Sequence, residues 1–210
     1  MDKQEKLARY RSLNRTAKPG QIVFAGSSLM EMFPVEKLVA ERAPEPTVYN
    51  RGIGGFITTE LEAALDVCVL DLKPRRLFIN IGTNDLSDAQ VTIDELIVRY
   101  ERILDRIGTI LPPAAIYLMA YYPINELAAA PEMKACLAIR TNARIGEANR
   151  AVEDMAHRRG HRFINVNRGL MDETGRLRAA YTLEGMHIRE EGYRAIMDDL
   201  MPYVLEPDAE

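Results

Sequence analysis

The sequence predicts an α/β fold, a parallel sheet covered by helices on both faces. Three observations predict it. Short apolar runs and stretches with helical apolar spacing alternate through five strands, the pattern of a parallel sheet rather than of hairpins or a bundle. Four unusual loops follow strands, at the ends where ligands bind in open α/β sheets. No internal repeat, low-complexity segment or interdomain linker interrupts the 210 residues, so residues 1–210 are expected to form one domain.

Each element has its own signal. Residues 2–15 carry Leu7, Tyr10 and Leu13 among charges, the spacing of a short amphipathic helix lying across the body. Pro19-Gly20 breaks it. Residues 21–25 form a buried strand that stops at Gly26, and Ser27-Ser28 follow. A tight turn there presents one of the two hydroxyls at the sheet rim, with backbone N–H groups close by, a geometry that suits a nucleophile. Val35, Leu38 and Val39 mark a helix ending before Pro44, and residues 47–49 a second strand. The loop Asn50-Arg51-Gly52-Ile53-Gly54-Gly55-Phe56 has three glycines in four positions, which predicts unusual dihedrals or close backbone approach. It lacks G-x-G-x-x-G spacing and G-K-[ST], which argues against a nucleotide site. Thr59 and Glu62 read as a T-x-x-E capping box, followed by Leu61, Ala64, Leu65 and Cys68 at helical spacing.

Residues 77–81 are the third strand, closed by Gly82-Thr83-Asn84-Asp85. A second capping box, Thr92 and Glu95, opens a helix with the stripe Ile93, Leu96, Ile97, Tyr100, Leu104, Ile107 and Leu111, and Pro112-Pro113 stops it. Residues 115–120 are the fourth strand. Residues 121–136 show no period and read as a long loop over one end of the sheet, of a length often functional. Tyr121, Tyr122 and Asn125 are its candidate pocket residues. A helix with Ile145, Val152 and Ala156 on one face ends at His157-Arg158-Arg159-Gly160-His161, where basic residues and glycine are capping chemistry. Residues 163–166 are the fifth strand and 172–175 a turn. The last helix carries Tyr193, Ile196, Met197, Leu200 and Val204, and the tail from Glu206 is expected to fray.

Composition narrows the function. The 47% hydrophobic residues suffice for a substantial core, and a net charge of -4 favours neither nucleic acid nor an anionic membrane surface. The two cysteines, Cys68 and Cys136, form no C-x-x-C motif and read as small buried side chains. The N-terminus leads into no apolar signal region, and no run approaches the ~18 apolar residues of a spanning helix. The expected location is the cytoplasm, with no membrane insertion.

A serine nucleophile needs a base. His157 and His161 belong to a helix cap, which leaves His187 in Leu183-Glu184-Gly185-Met186-His187-Ile188. Glu184 can fold back onto the same imidazole through Gly185, as the acid of a triad does. The competing role for this pair is an exposed cap of the last helix.

Four blocks stand in order: Gly26-Ser27-Ser28-Leu29, residues 50–55, Gly82-Thr83-Asn84-Asp85 and Glu184-Gly185-Met186-His187. Together they resemble the GDSL-type esterases and lipases, the SGNH hydrolase superfamily. The Asn-x-Gly-Ile-Gly-Gly loop is similar to the platelet-activating-factor acetylhydrolase-like branch. The resemblance implies a three-layer α/β/α sandwich on a five-stranded flavodoxin-like sheet, without metal or cofactor. It implies Ser28 as nucleophile, His187 as base, and Ser28 N–H, Gly55 N–H and the Asn84 side chain as oxyanion-hole donors. Ser27 replaces the family's usual aspartate, which is not the triad acid. Glu184 stands where the family usually has aspartate. Its extra methylene changes where the carboxylate must sit, and Asp172 or a backbone carbonyl is the alternative partner of His187.

The expected activity is hydrolysis of short-chain, acetyl-type esters through a Ser-His-Glu triad and an acyl-enzyme, with a small-molecule ester as partner. A homo-oligomer is compatible with the sequence. The alternatives are a lysophospholipase or thioesterase-type acylhydrolase, and a non-catalytic flavodoxin-like carbohydrate-binding module.

Overall fold

A computed structural model of the chain describes residues 1–111 and 114–207. Its sheet has five parallel strands, β1 (Ile22–Gly26), β2 (Val48–Asn50), β3 (Arg76–Asn80), β4 (Ala115–Met119) and β5 (Arg162–Ile164), in the order β2-β1-β3-β4-β5. This is the flavodoxin-like order, and it changes direction at β1: the chain steps to β2 on one side, then returns to β3 on the other. The crevice at such a switch, beyond the strands' carboxyl ends, is where open α/β sheets bind ligands.

The strands alternate their side chains between two buried layers. Val23, Ala25, Leu77, Ile79, Ile116 and Leu118 face one core. That core is closed by α1 (Lys3–Asn14), α4 (Thr58–Ala63), α5 (Leu65–Cys68), α6 (Ile93–Ile110) and α8 (Asn142–Arg158). Ile22, Phe24, Phe78, Tyr117 and Met119 face the other, closed by α2 (Ser28–Glu31), α3 (Val35–Ala40), α9 (Glu190–Ala195) and α10 (Met197–Val204). On this second face Phe24, Phe78 and Tyr117 stack across three strands at centroid distances of 4.4 and 4.6 Å. Both sheet faces are apolar because both are covered, as in parallel sheets generally.

Several local expectations change. Helix α4 starts one residue before the expected box: Glu60, not Glu62, accepts the Ile57 N–H at 3.0 Å. The Thr58 N–H and hydroxyl go to Asp85, at 2.9 and 2.6 Å, so the helix is capped by a residue from another loop. The box at Thr92 and Glu95 forms as written, with both reciprocal bonds at 3.1 Å. The Pro112-Pro113 stop lies outside the described residues. The segment 121–136 contains short 3-10 turns, and α7 (Lys134–Ile139) begins inside it. The tail is anchored through Glu206: Arg76, at the buried start of β3, donates to the Val204 and Glu206 carbonyls, and the Glu206 carboxylate takes Tyr117 and Arg162. The amphipathic reading of α1 also fails. Leu13 is 44% exposed, only Leu7 is buried, and the helix is held by a polar stripe described below.

Candidate active site

The site is assembled from four chain segments around the switch between β1 and β3. Strand β1 ends at Gly26, where a Cβ would lie 2.2 Å from the Asn80 carbonyl of β3. Only glycine lets the strands close so tightly before the chain turns into α2. Ser27 is buried and Ser28 half-buried at the start of that helix. The Ser28 hydroxyl lies 3.0 Å from His187 Nε2. His187 Nδ1 lies 2.5 Å from Glu184 Oε1, which also accepts the His187 backbone N–H at 3.1 Å.

The loop that carries His187 is closed on itself. Thr182 and Ile188 form an antiparallel bridge, and the Gly185 N–H donates to the Thr182 hydroxyl at 2.8 Å. Gly185 has φ +102°, a conformation that L side chains rarely adopt, and this lets the glutamate fold back within three residues. The loop docks on the segment after β4: Asn125 N–H donates to the Gly185 carbonyl at 2.7 Å, and Ala130 N–H to that of Glu184 at 3.2 Å.

The glycine loop lies beside the serine, for a Cβ on Gly54 would sit 3.7 Å from that of Ser28. Phe56 N–H donates to the Ile53 carbonyl, and Gly55 at the third position has φ +75°, as a type II turn demands. Gly54 N–H donates to Glu31 at 2.6 Å. Among the described residues the N–H groups of Gly55 and Ser28 donate to no protein acceptor. Helix α1 grips this loop along one stripe. Lys3 donates to the Gly55 carbonyl at 2.9 Å, Lys6 pairs with Glu31 at 2.8 Å, and Tyr10 donates to the Gly52 carbonyl at 2.7 Å.

The fourth segment is the loop after β3. Asn84 donates through Nδ2 to the Phe56 carbonyl at 2.9 Å, which leaves one amide hydrogen. Its Oδ1 accepts from Arg140 at 2.7 Å. The sequence offers no warning of Arg140, an arginine that ends the apolar run 135–139.

The expected pocket residues have other work. Tyr121 and Tyr122 are each 1% exposed. The Tyr121 hydroxyl donates to the Ile81 carbonyl at 2.8 Å and props the loop of Asn84, and burial pushes its pKa well up. The Tyr122 ring packs edge-on to Tyr193. Asn125 is buried too, accepting the Leu127 and Ala128 N–H groups and donating to the Leu177 carbonyl. A strand end rich in aromatics looks like a pocket in one dimension, but the three side chains turn into the body instead of lining the site. Asp172 closes its own turn with Thr174 and Arg176, so it does not serve His187. His161 caps α8 by its backbone. Cys68 is buried, which pushes its thiol up to about 12. Cys136 is half-exposed rather than buried, its thiol 3.3 Å from the Ser87 hydroxyl.

The geometry can pass a proton from a serine hydroxyl to an imidazole whose other nitrogen faces a carboxylate, next to free backbone N–H groups. Among the described residues no cluster of His, Cys, Asp and Glu is arranged to hold a metal ion. Among the described residues no helix is long and apolar enough to cross a membrane.

Comparison with known proteins identifies the family and the fold. The model of the GDSL-like Lipase/Acylhydrolase family matches residues 33–195. A Streptococcus pneumonia protein provisionally described as a platelet activating factor superposes with a TM-score of 0.85 at 29% identity, over 97% of this chain and 92% of that one. A GDSL-like lipase from Bacteroides thetaiotaomicron gives a TM-score of 0.73 at 21% identity, over 95% of this chain and 98% of that one. A catalytic mutant of Axe2, an acetylxylan esterase from Geobacillus stearothermophilus, gives 0.68 at 18% identity, over 92% and 98%. A comparison with curated proteins gives no match. The family match spans most of the chain, including the glycine loop, Asn84 and the His187 loop, and on that ground the chain belongs to the GDSL-like lipase/acylhydrolase family and is a carboxylic ester hydrolase.

Proposed function

We propose that the protein hydrolyses short-chain acyl esters, acetyl esters foremost, by a Ser28–His187–Glu184 triad. The observation that carries the reading is the unbroken chain from Glu184 Oε1 to His187 Nδ1 at 2.5 Å and from Nε2 to the Ser28 hydroxyl at 3.0 Å. Ser28 Oγ bonds to the ester carbonyl carbon while its proton passes to His187 Nε2. Glu184 holds the ring in the tautomer with the proton on Nδ1 and stabilises the imidazolium. The oxyanion is received by Ser28 N–H, Gly55 N–H and the remaining Asn84 amide hydrogen. As the carbonyl re-forms, the bond to the alcohol breaks and His187 returns its proton to that oxygen. Water then attacks the acyl-enzyme, its proton taken by His187, and the acid leaves as Ser28 regains its hydrogen.

The short-acyl preference rests on the surroundings of Ser28. The charged groups Lys3, Glu31, Lys6 and Arg140 bear on the loops that flank the hydroxyl. The acetylxylan esterase among the similar structures supports it further. A second reading, a lysophospholipase or thioesterase-type activity, is favoured by Leu183 at 47% and Leu127 at 80% exposure, on the His187 loop and on the segment it docks against.

The test is hydrolysis of p-nitrophenyl esters together with fluorophosphonate labelling mapped by mass spectrometry. Ser28→Ala is expected to abolish both turnover and labelling, while Ser27→Ala keeps most of each. Labelling at Ser27 would overturn the assignment. Rates are expected to fall from acetate to octanoate, and a rise would favour the second reading.

A further inference from the structure

Arg140 is a buried cation without a carboxylate. It is 3% exposed, at the end of α7, and among the described residues it forms no ion pair. Its donors all end on neutral atoms: Nε on the Ser87 hydroxyl at 2.8 Å, Nη1 on the Met186 sulfur at 2.6 Å and Nη2 on Asn84 Oδ1 at 2.7 Å. The nearby carboxylate, Asp85, is already engaged by Thr58 at 2.9 and 2.6 Å and by Arg99 at 3.3 Å. Burial pulls the guanidinium below its ordinary pKa, and the fields of Cys136 and Asp85 offset it only in part. A buried charge left in this condition is costly, so the fold keeps Arg140 against its own stability.

The contacts indicate what the charge does. A guanidinium on Oδ1 allows the Asn84 amide only one flip, with Nδ2 toward the Phe56 carbonyl. A charge-assisted bond to the oxygen also polarises the amide and strengthens its N–H as a donor. When negative charge develops on a substrate oxygen held by that N–H, the buried cation, which bonds no carboxylate directly, gains an anionic partner. The gain exists in the transition state and is absent from the bound ester, so it raises kcat rather than lowering KM. The bond to Met186, the residue before His187, ties the same guanidinium to the loop of the base.

We propose that Arg140 is a positioning residue of the oxyanion hole: it locks the Asn84 side chain and supplies the positive charge that the developing oxyanion neutralises. This rests on Asn84 being an oxyanion donor. The experiment is a double-mutant cycle with p-nitrophenyl acetate: Arg140→Met, Asn84→Ala and the two combined, with Arg140→Lys alongside. Arg140→Met is expected to lower kcat by roughly 10–10²-fold with KM changed by less than about two-fold, and Arg140→Lys to recover part of the loss. In the Asn84→Ala background Arg140→Met is expected to cost less than about three-fold more, since the two act through one amide. An equal loss in both backgrounds overturns the proposal, as does a rise in KM at constant kcat. An Asn84→Ala enzyme with unchanged kcat overturns the oxyanion role of Asn84 itself. A slow Asn84→Ala beside a full-rate Arg140→Met overturns the Arg140 link alone. Circular dichroism checks folding, and where Arg140→Met does not fold, Arg140→Lys takes its place in the cycle.

Discussion

Glu184 and Gly185 illustrate how closely the chemistry depends on single residues. The carboxylate accepts from both the imidazole and the backbone of His187, three residues away, through one oxygen. Such a turn is available only because Gly185 takes φ +102° and lies so close to Asn125 and Ala129 that a Cβ would meet them at 2.8 and 3.0 Å. The longer side chain is accommodated by this fold-back, which answers the methylene that separates Glu184 from the family's aspartate. In Glu184→Gln the acceptor stays and the charge opposite the imidazolium goes. A fall in kcat on the order of 10²–10⁴-fold at nearly constant KM is expected from steady-state kinetics. A rate within two-fold of wild type would move the orienting role elsewhere.

Among the elements, α1 departs most from its sequence pattern. Leu7, Tyr10 and Leu13 suggest an apolar stripe, yet the helix docks by Lys3, Lys6, Tyr10 and Asn14, whose partners lie on or beside the glycine loop and at Val67. Ion pairs this exposed are individually weak, so the grip depends on several bonds acting together. An element with little apolar burial opens more readily than the core it covers. Lys3→Met combined with Tyr10→Phe removes two carbonyl bonds, each worth about 1 kcal/mol. Faster hydrogen exchange at Gly54 and Phe56, the loop amides bonded to Glu31 and Ile53, is expected, with a several-fold lower kcat on p-nitrophenyl acetate. Unchanged exchange would show that the loop holds its own shape.

At the scale of the whole molecule, stability carries a pH dependence from the end of α8. His161 is half-buried, and burial followed by the neighbouring Arg159 charge lowers its pKa below 6.5. The unfolded chain, with an ordinary histidine, therefore binds more protons below pH 6.5 than the folded one, and stability is lost as pH falls through that value toward the folded pKa. Thermal unfolding of wild type between pH 7.5 and pH 5 is expected to lose more in Tm than that of His161→Gln. Equal losses would remove His161 from the balance. The two cores share one sheet, because the same strands supply alternate side chains to both.

What the sequence determined by itself is the order of elements and the candidate residues of the site. Alternating apolar runs and helical stripes specify a parallel sheet, because period and burial are properties of local sequence. The four loop blocks specify a serine, a histidine, an asparagine and a glycine turn in family order. Ser28 and His187 meet at 3.0 Å although 159 positions separate them in the chain, and Asn84 bonds the end of the glycine loop at Phe56. What only the tertiary structure decided are the roles of side chains whose partners come from distant segments. Thr58 is capped by Asp85, Tyr121 and Tyr122 fill the core, Asn125 braces the His187 loop, and Arg140 holds Asn84. Their residue types are uninformative in one dimension, since a tyrosine after a strand or an arginine at the end of an apolar run is equally suited to pocket, core or surface. Only packing decides which neighbours such a group meets, and a buried polar group then takes its role from the partners that satisfy it.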